Sequence, residues 1–410
     1  MRVTPRRRAA VAVAALGAMV LGSGMVSAHA AVPEEDLVVE YLFDQAEGAE
    51  VPNSAATDLG PATVHNVRDT DWTGTSLTLR GGAKTSSGNW VELPEDVLAG
   101  ASSATVTAEV KVSAAMLGGF HFLWNIGNES SATEYFFASL NCSSGRTPLV
   151  GLKSGGTERL VQAGDCGVTA DQWVNVTAVV DGDAGTASLY LDGSRVAHGA
   201  MDFTPADVAD QSLNTIGRAP WPDPLFQGAI SAFRVYDRAL TAAEVADVAA
   251  ADAEPHAEEL REQAQAVLDG LDLADLETST DIDLPTAGGR VTWTSSDPGV
   301  VAPDGAVNPP LAGEESVTVE LTATVSIRGV EASATITVTV LPSTETPEER
   351  AERLAQRVVV PPVVASGTAL PPAPEGTSVS VAVRHRRRGR RRHDRGGRRG
   401  GRRDHTAGHR

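Results

Sequence analysis

Between residues 36 and 237 apolar positions recur in short alternating runs, and polar, Gly-rich segments separate them. The runs Leu37–Phe43, Ser76–Leu79, Trp90–Leu93, Ala104–Val112, Phe120–Ile126, Tyr135–Leu140, Trp173–Val180, Thr186–Leu191 and Ala229–Tyr236 read as β-strands. Asp181-Gly182-Asp183-Ala184-Gly185 and Asp192-Gly193 supply the hairpin turns between them. No convincing amphipathic helix interrupts this region. Many strands with regular turns predict an antiparallel sandwich or jelly roll.

The period then changes. Thr241-Ala242-Ala243-Glu244 is a capping box, in which the hydroxyl serves the third amide and the carboxylate reaches back to the first. It opens a helix to about Ala250. Pro255 interrupts, and a second helix is predicted from His256 to Leu268 with Leu260, Ala264, Val267 and Leu268 on one face. Alternation resumes over Arg290–Thr294, Ser316–Val325 and Ala332–Leu341, which predicts further strands.

Charge divides the chain into three zones. Residues 1–30 hold Arg2, Arg6, Arg7 and Arg8 and no acid. Residues 384–410 hold 13 Arg against Asp394 and Asp404. The body between carries 17 basic and 51 acidic residues, a net charge of −34. Such a body repels phosphate backbones and anionic lipids, so no nucleic-acid partner is expected for it. Residues 1–30 have the form of a secretory signal peptide: a charged start, a small apolar run from Ala9 to Val26, and Ala28-His29-Ala30 before the cleavage point. The mature protein is expected outside the cell, as a monomer without membrane insertion. Export makes the only two cysteines, Cys142 and Cys166, a candidate disulfide.

Several motifs carry a family resemblance. Trp173-Val174-Asn175-Val176-Thr177, Leu189-Tyr190-Leu191-Asp192-Gly193 and the stretch Phe233-Arg234-Val235-Tyr236 through Leu240 resemble laminin-G-like, concanavalin A-type domains over roughly residues 36–250. The resemblance implies a carbohydrate- or protein-binding module of the kind appended to secreted enzymes and adhesins. It also implies structural calcium near the last strand, but Ser231 and Ala232 stand where members commonly carry acids. Asp69-x-Asp71 and Asp181-x-Asp183 offer short acidic pairs for calcium, and read first as turns. No other cofactor is expected. Asp281-x-Asp283-Leu284-Pro285, Val291-Thr292-Trp293 through Pro298 and Thr335–Pro342 resemble the atrophied bacterial immunoglobulin-like domain over residues 256–342. That resemblance implies a spacer inside secreted glycoside hydrolases, notably arabinan- and arabinose-releasing ones. The fold class expected is therefore all-β: a concanavalin A-like sandwich (31–254), then an immunoglobulin-like sandwich (255–342), with short linking helices.

Sugar binding needs an aromatic platform with directed polar groups. Only 4% of residues are aromatic, so each candidate counts. Trp221 lies in the rigid loop Ala219-Pro220-Trp221-Pro222-Asp223-Pro224, beside Asp223. Trp124, His121 and Tyr135 sit on or near central strands, where Trp124 and Tyr135 read equally as core. Trp90 and Trp173 are expected to be packing residues. No nucleophile elbow, zinc-helix motif, phosphate loop or Cys-x-x-Cys is present. No catalytic constellation is assigned.

From Thr346-Pro347-Glu348-Glu349 the immunoglobulin-like pattern begins again, and residues 343–380 read as a second, truncated repeat. Leu370-Pro371 echoes Leu284-Pro285, and Val379-Ser380 echoes Val291-Thr292. A Trp should follow, yet the chain becomes Arg-rich. Read one base later with suitable synonymous codons, Val381 onward gives Trp-Arg-Ser-Gly-Thr-Gly-Val-Val-Ala-Asp-Asp-Gly, in parallel with Trp293 to Gly305. Residues 381–410 are therefore expected to be out-of-frame translation, the alternatives being a basic arm or a solvated tail. The functional expectation is a secreted, non-catalytic glycan-binding protein, the front part of a glycoside hydrolase acting on arabinose-containing polysaccharide. The alternatives are an adhesion protein that binds glycans or proteins, and a hydrolase acting from the first sandwich.

Overall fold

The computed structural model describes residues 32–129, 133–143 and 145–356. The signal-peptide segment, most of the truncated repeat and the Arg-rich segment 381–410 lie outside the described residues. Two compact units are present. The first takes in the described residues to Leu273 with Pro285–Thr292 and Ala323–Ala334; the second takes in Ala274–Leu284, Trp293–Thr322 and the described residues from Thr335.

The first unit is built on two β-sheets. The seven-stranded sheet runs in the order Leu37–Leu42, Leu225–Tyr236, Ala104–Val112, Trp173–Asp181, Thr186–Leu191, Ser194–Ala200, with Leu77–Gly82 also paired to Leu225–Tyr236. The eight-stranded sheet runs Thr157–Gln162, Leu149–Ser154, Tyr135–Ser139, Trp124–Gly127, Thr215–Ile216, Trp90–Glu92, Ala62–His65, Glu50–Val51. Neighbouring strands in both sheets pair antiparallel. Alternate side chains of each strand fill the space between the sheets. Val106, Ala108 and Val110 of one strand, Phe233 and Val235 of the next, and Trp124, Ile126 and Phe136 of the other sheet all belong to this core.

Several outward side chains of the seven-stranded sheet are polar yet buried. Thr107, Glu109, Asn175 and Arg234 lie there. Helix Ala242–Ala253, capped by Thr241 and Glu244 as the sequence predicts, contributes Asp252 to the same network. Helix Ala257–Asp269 follows a short turn at Glu254–His256, with Leu260, Ala264 and Leu268 buried and Val267 half-buried. A disulfide joins Cys142 to Cys166, as expected from the sequence.

A single four-stranded sheet is found in the immunoglobulin-like region, in the order Leu276–Thr278, Val330–Val340, Val317–Ile327, Val291–Ser295. Val319, Leu321, Ala323 and Val325 are buried at alternate positions, which is the period-two signal of a half-buried strand. The two long strands meet in a two-residue turn at Arg328 and Gly329. Both have positive φ, 52° and 83°, so the turn follows the right-handed twist of the pair.

Candidate functional site

The outer face of the eight-stranded sheet carries a second apolar cluster. It is built from strand register. Tyr135 lies opposite Lys153, and Lys153 opposite Glu158; Phe137 lies opposite Gly151, and Gly151 opposite Leu160. Cross-strand partners share a face, so each row crosses three strands on one side of the sheet. The intervening Phe136, Ala138, Val150 and Leu152 face the core.

Two further pieces close the site. The segment before strand Trp124–Gly127 brings Phe120 and Phe122, whose rings meet edge to face at 5.1 Å. The Pro-flanked loop brings Trp221, which stacks on Phe122 at 4.9 Å and meets Tyr135 edge-on at 5.0 Å. Phe122 and Tyr135 lie 5.0 and 5.7 Å from Phe137. Five of the chain's 18 aromatic residues thus line one open groove of about 670 Å³. Its polar lining is Arg146, Lys153, Glu158, Gln162 and Asp223.

Gly151 shapes the floor. A Cβ there would lie 2.4 Å from Phe137 Cε1 and 2.7 Å from Leu160 Cδ2, so only glycine lets the Phe137 ring settle over the middle strand. The loop is also held. The Lys84 ammonium donates to the Pro220 carbonyl, and the Thr215 hydroxyl donates to the Arg218 carbonyl at 2.6 Å. Burial, helped by the nearby Arg218 cation, lowers the Lys84 pKa against the pull of Glu129 and Asp223.

The groove's charged groups differ in how they are engaged. The Tyr135 hydroxyl donates to Glu158 Oε1 at 2.5 Å. Burial and that carboxylate hold the Tyr135 phenol above its ordinary pKa, so it remains a donor across the physiological range. Lys153 Nζ stands 5.4 Å from the Tyr135 ring centre, and the Arg146 guanidinium 5.2 Å from that of Phe120. Among the described residues neither cation forms an ion pair with a carboxylate, whereas Arg159 pairs with Asp202 and Arg218 with Glu129.

Of the residues singled out from sequence, Trp221, Asp223 and Tyr135 meet in this groove. Trp124 and His121 do not. Trp124 pairs with Ala138 on the inward row and is fully buried, 6.2 Å from Phe233. His121 is also fully buried. Its Nε2 accepts from the Leu140 amide at 3.3 Å and its Nδ1 sits 3.0 Å from the Gly119 carbonyl. Burial lowers its pKa, so it is a neutral ring spent on backbone. Trp173 is buried as expected, stacked on His256 at 3.8 Å. Trp90 is half-buried on the outer face, stacked on His65 at 4.0 Å with Arg218 4.5 Å from its centre.

The acidic pairs have other partners. Asp71 takes the Arg80 guanidinium and the Arg68 amide, and Asp181 accepts from the Ala184 amide within its hairpin turn. Asp69 opens the short turn that holds Asp71, and Asp183 is exposed. At Ser231, where acids were looked for, the hydroxyl lies 2.9 Å from His256 Nε2. Among the described residues no group of three or more His, Cys, Asp or Glu side chains is placed to hold a metal ion.

Sequence reasoning missed Phe120, Phe122, Phe137, Arg146, Lys153 and Glu158. The available signal was Gly155-Gly156, which turns Leu149–Ser154 into Thr157–Gln162 and so places Lys153 beside Glu158.

Residues 85–246 match the model of the concanavalin A-like lectin/glucanases superfamily. Residues 262–343 match the model of the atrophied bacterial Ig domain. The chain therefore carries a concanavalin A-like domain followed by an atrophied bacterial immunoglobulin-like domain. No curated protein matches it. Similar solved structures include domain 4 of a GH43 extracellular arabinanase from Geobacillus stearothermophilus in complex with arabinotriose, at 21% identity, covering 52% of this chain and 98% of that chain, TM-score 0.40. The CBM40 of Ruminococcus gnavus IT-sialidase bound to alpha2,3 sialyllactose is 14% identical, covering 42% and 96%, TM-score 0.36. Trypanosoma rangeli sialidase is 17% identical, covering 54% and 33%, TM-score 0.37. No helix among the described residues is long and apolar enough to cross a membrane.

Proposed function

We propose that this protein is a secreted, non-catalytic glycan-binding protein whose ligand lies in the Phe122–Tyr135–Trp221 groove. One observation carries the reading: a chain poor in aromatics concentrates five of them on one outward sheet face, edged by polar side chains. An aromatic floor takes the apolar face of a sugar ring, and the polar rim takes its hydroxyls. Gln162 and Asp223 are the rim groups available to a neutral sugar. The immunoglobulin-like unit acts as a spacer. From the order of modules in the sequence, the parent polypeptide is read as a glycoside hydrolase acting on arabinose-containing polysaccharide.

The test is calorimetric titration of the purified chain against a panel of plant and bacterial polysaccharides, with Trp221→Ala alongside. The expected result is saturable binding that falls at least tenfold in the variant, with unchanged far-ultraviolet circular dichroism. Equal binding by both proteins, or none to any glycan, refutes the assignment. Release of new reducing ends by the wild type, lost in Glu158→Gln or Asp223→Asn, would favour a hydrolase instead.

A further inference from the structure

We propose that the groove selects a carboxylated sugar, and specifically a short run of hexuronate residues. This rests on the glycan-binding reading above. In a body with three acids for every base, the side chains lining this groove include two cations free of carboxylate partners among the described residues. Of the acids beside them, Glu158 is engaged by the Tyr135 hydroxyl, and Asp223 shares its surroundings with Lys84. Glu158 keeps its negative charge under that hydrogen bond, so a ligand carboxylate is attracted by Arg146 and Lys153 and opposed by Glu158.

Their placement decides between ligands. Arg146 stands over Phe120 and Lys153 over Tyr135, and both rings neighbour Phe137, at 6.3 and 5.7 Å. Two cations over neighbouring rings of one aromatic floor match a ligand with repeated carboxylates. A sugar with a single terminal carboxylate would use only one of them. Ring stacking supplies the contact common to all sugars, and a charge-assisted hydrogen bond to carboxylate supplies the selection.

The experiment titrates the full chain with oligogalacturonate, its methyl ester, an arabino-oligosaccharide and sialyllactose. The acid should bind about tenfold more tightly than its ester, since esterification removes the charge. Lys153→Gln and Arg146→Gln should each remove most of that preference, and Glu158→Gln should enlarge it. Acid and ester binding alike would overturn the proposal and leave the glycan-binding reading standing. Sialyllactose binding as well as oligogalacturonate would overturn the repeated-carboxylate assignment. No binding to any of the four would overturn both.

Discussion

The Arg234 side chain lies under helix Ala242–Ala253, between two carboxylates. Its Nε donates to Glu40 Oε1 at 2.7 Å and its Nη1 to Asp252 Oδ1 at 2.6 Å. Asn175 Nδ2 completes the site by donating to Asp252 Oδ2 at 2.9 Å. The three charged side chains are 5% (Arg234), 18% (Glu40) and 3% (Asp252) exposed. Replacing Arg234 with Met keeps the bulk and removes the charge. Two carboxylates are then buried without a cation, which costs about 3–5 kcal/mol. At about 2–4 °C per kcal/mol for a domain of this size, melting should fall by roughly 10 °C near pH 8. The loss has a pH signature. An Asp252 without its cation holds its proton to higher pH when folded than when unfolded. The folded state then binds more protons above the unfolded carboxylate pKa of about 4, and stability declines as pH rises through that window. The deficit should therefore be smaller near pH 5 than near pH 8. In Arg234→Met/Asp252→Leu the worse-placed acid is gone, and most of the loss should return. Differential scanning calorimetry of the three proteins at both pH values is the assay. A fall under 2 °C, or a deficit independent of pH and of Asp252, would refute the reasoning.

Other regions give independent tests. Reduction of Cys142–Cys166, which are 24 positions apart, should cost about 3 kcal/mol by loop-closure entropy, read as a lower urea midpoint with reductant than without. Gly151→Val should push Phe137 from its place and fill the groove, costing about 1–3 kcal/mol of stability and abolishing glycan binding in titration. Burial, with the Arg328 cation nearby, pulls the His256 pKa down to about 4. Unfolded histidine titrates near 6.5, so the unfolded state binds the extra proton and stability is lost as pH falls from about 6.5 to about 4. His256→Gln should lessen that acid-side loss in thermal melts taken across the window.

The strands most legible in the sequence were those whose two faces are both buried. Ala104–Val112 and Thr186–Leu191 appear with the bounds the pattern predicts, because every position but Lys111 and Thr186 is buried. The capping box also read directly, since its two bonds involve residues three apart: Glu244 N to Thr241 Oγ1 at 3.3 Å, and Thr241 N to Glu244 Oε2 at 2.8 Å. The hairpin Leu149–Gln162 was not legible. In Leu149–Ser154 the first four residues are all buried, and in Thr157–Gln162 all but Arg159 and Val161 are exposed, so neither sequence shows an alternation of apolar and polar residues. Yet this hairpin supplies Lys153 and Glu158 to the groove. Trp124 was misplaced for a related reason. Continuous alternation from Phe120 would put 120, 122 and 124 on one face. Leu123 and Trp124 both enter the core, so the alternation slips there and the Trp turns inward while the two Phe stay out.

Net charge misleads about this site in an instructive way. A body of −34 should repel any polyanion, the same reasoning by which no nucleic-acid partner is expected. That repulsion is a sum over distant groups, and salt screens it beyond about 8 Å at physiological ionic strength. Within the groove the ligand meets Arg146 and Lys153 at contact distance, where screening is weak. The two effects scale differently with ligand length. A short oligouronate gains both cations and carries few charges into the field. A long polyuronate gains the same two contacts and places many more carboxylates against an acidic surface. Affinity per uronate should therefore peak at a short chain length in low salt, and the peak should flatten as salt is raised. Titration of an oligogalacturonate length series at two ionic strengths measures it. Affinity that climbs steadily with length in low salt would mean that the ligand follows an extended basic track, and would refute this account.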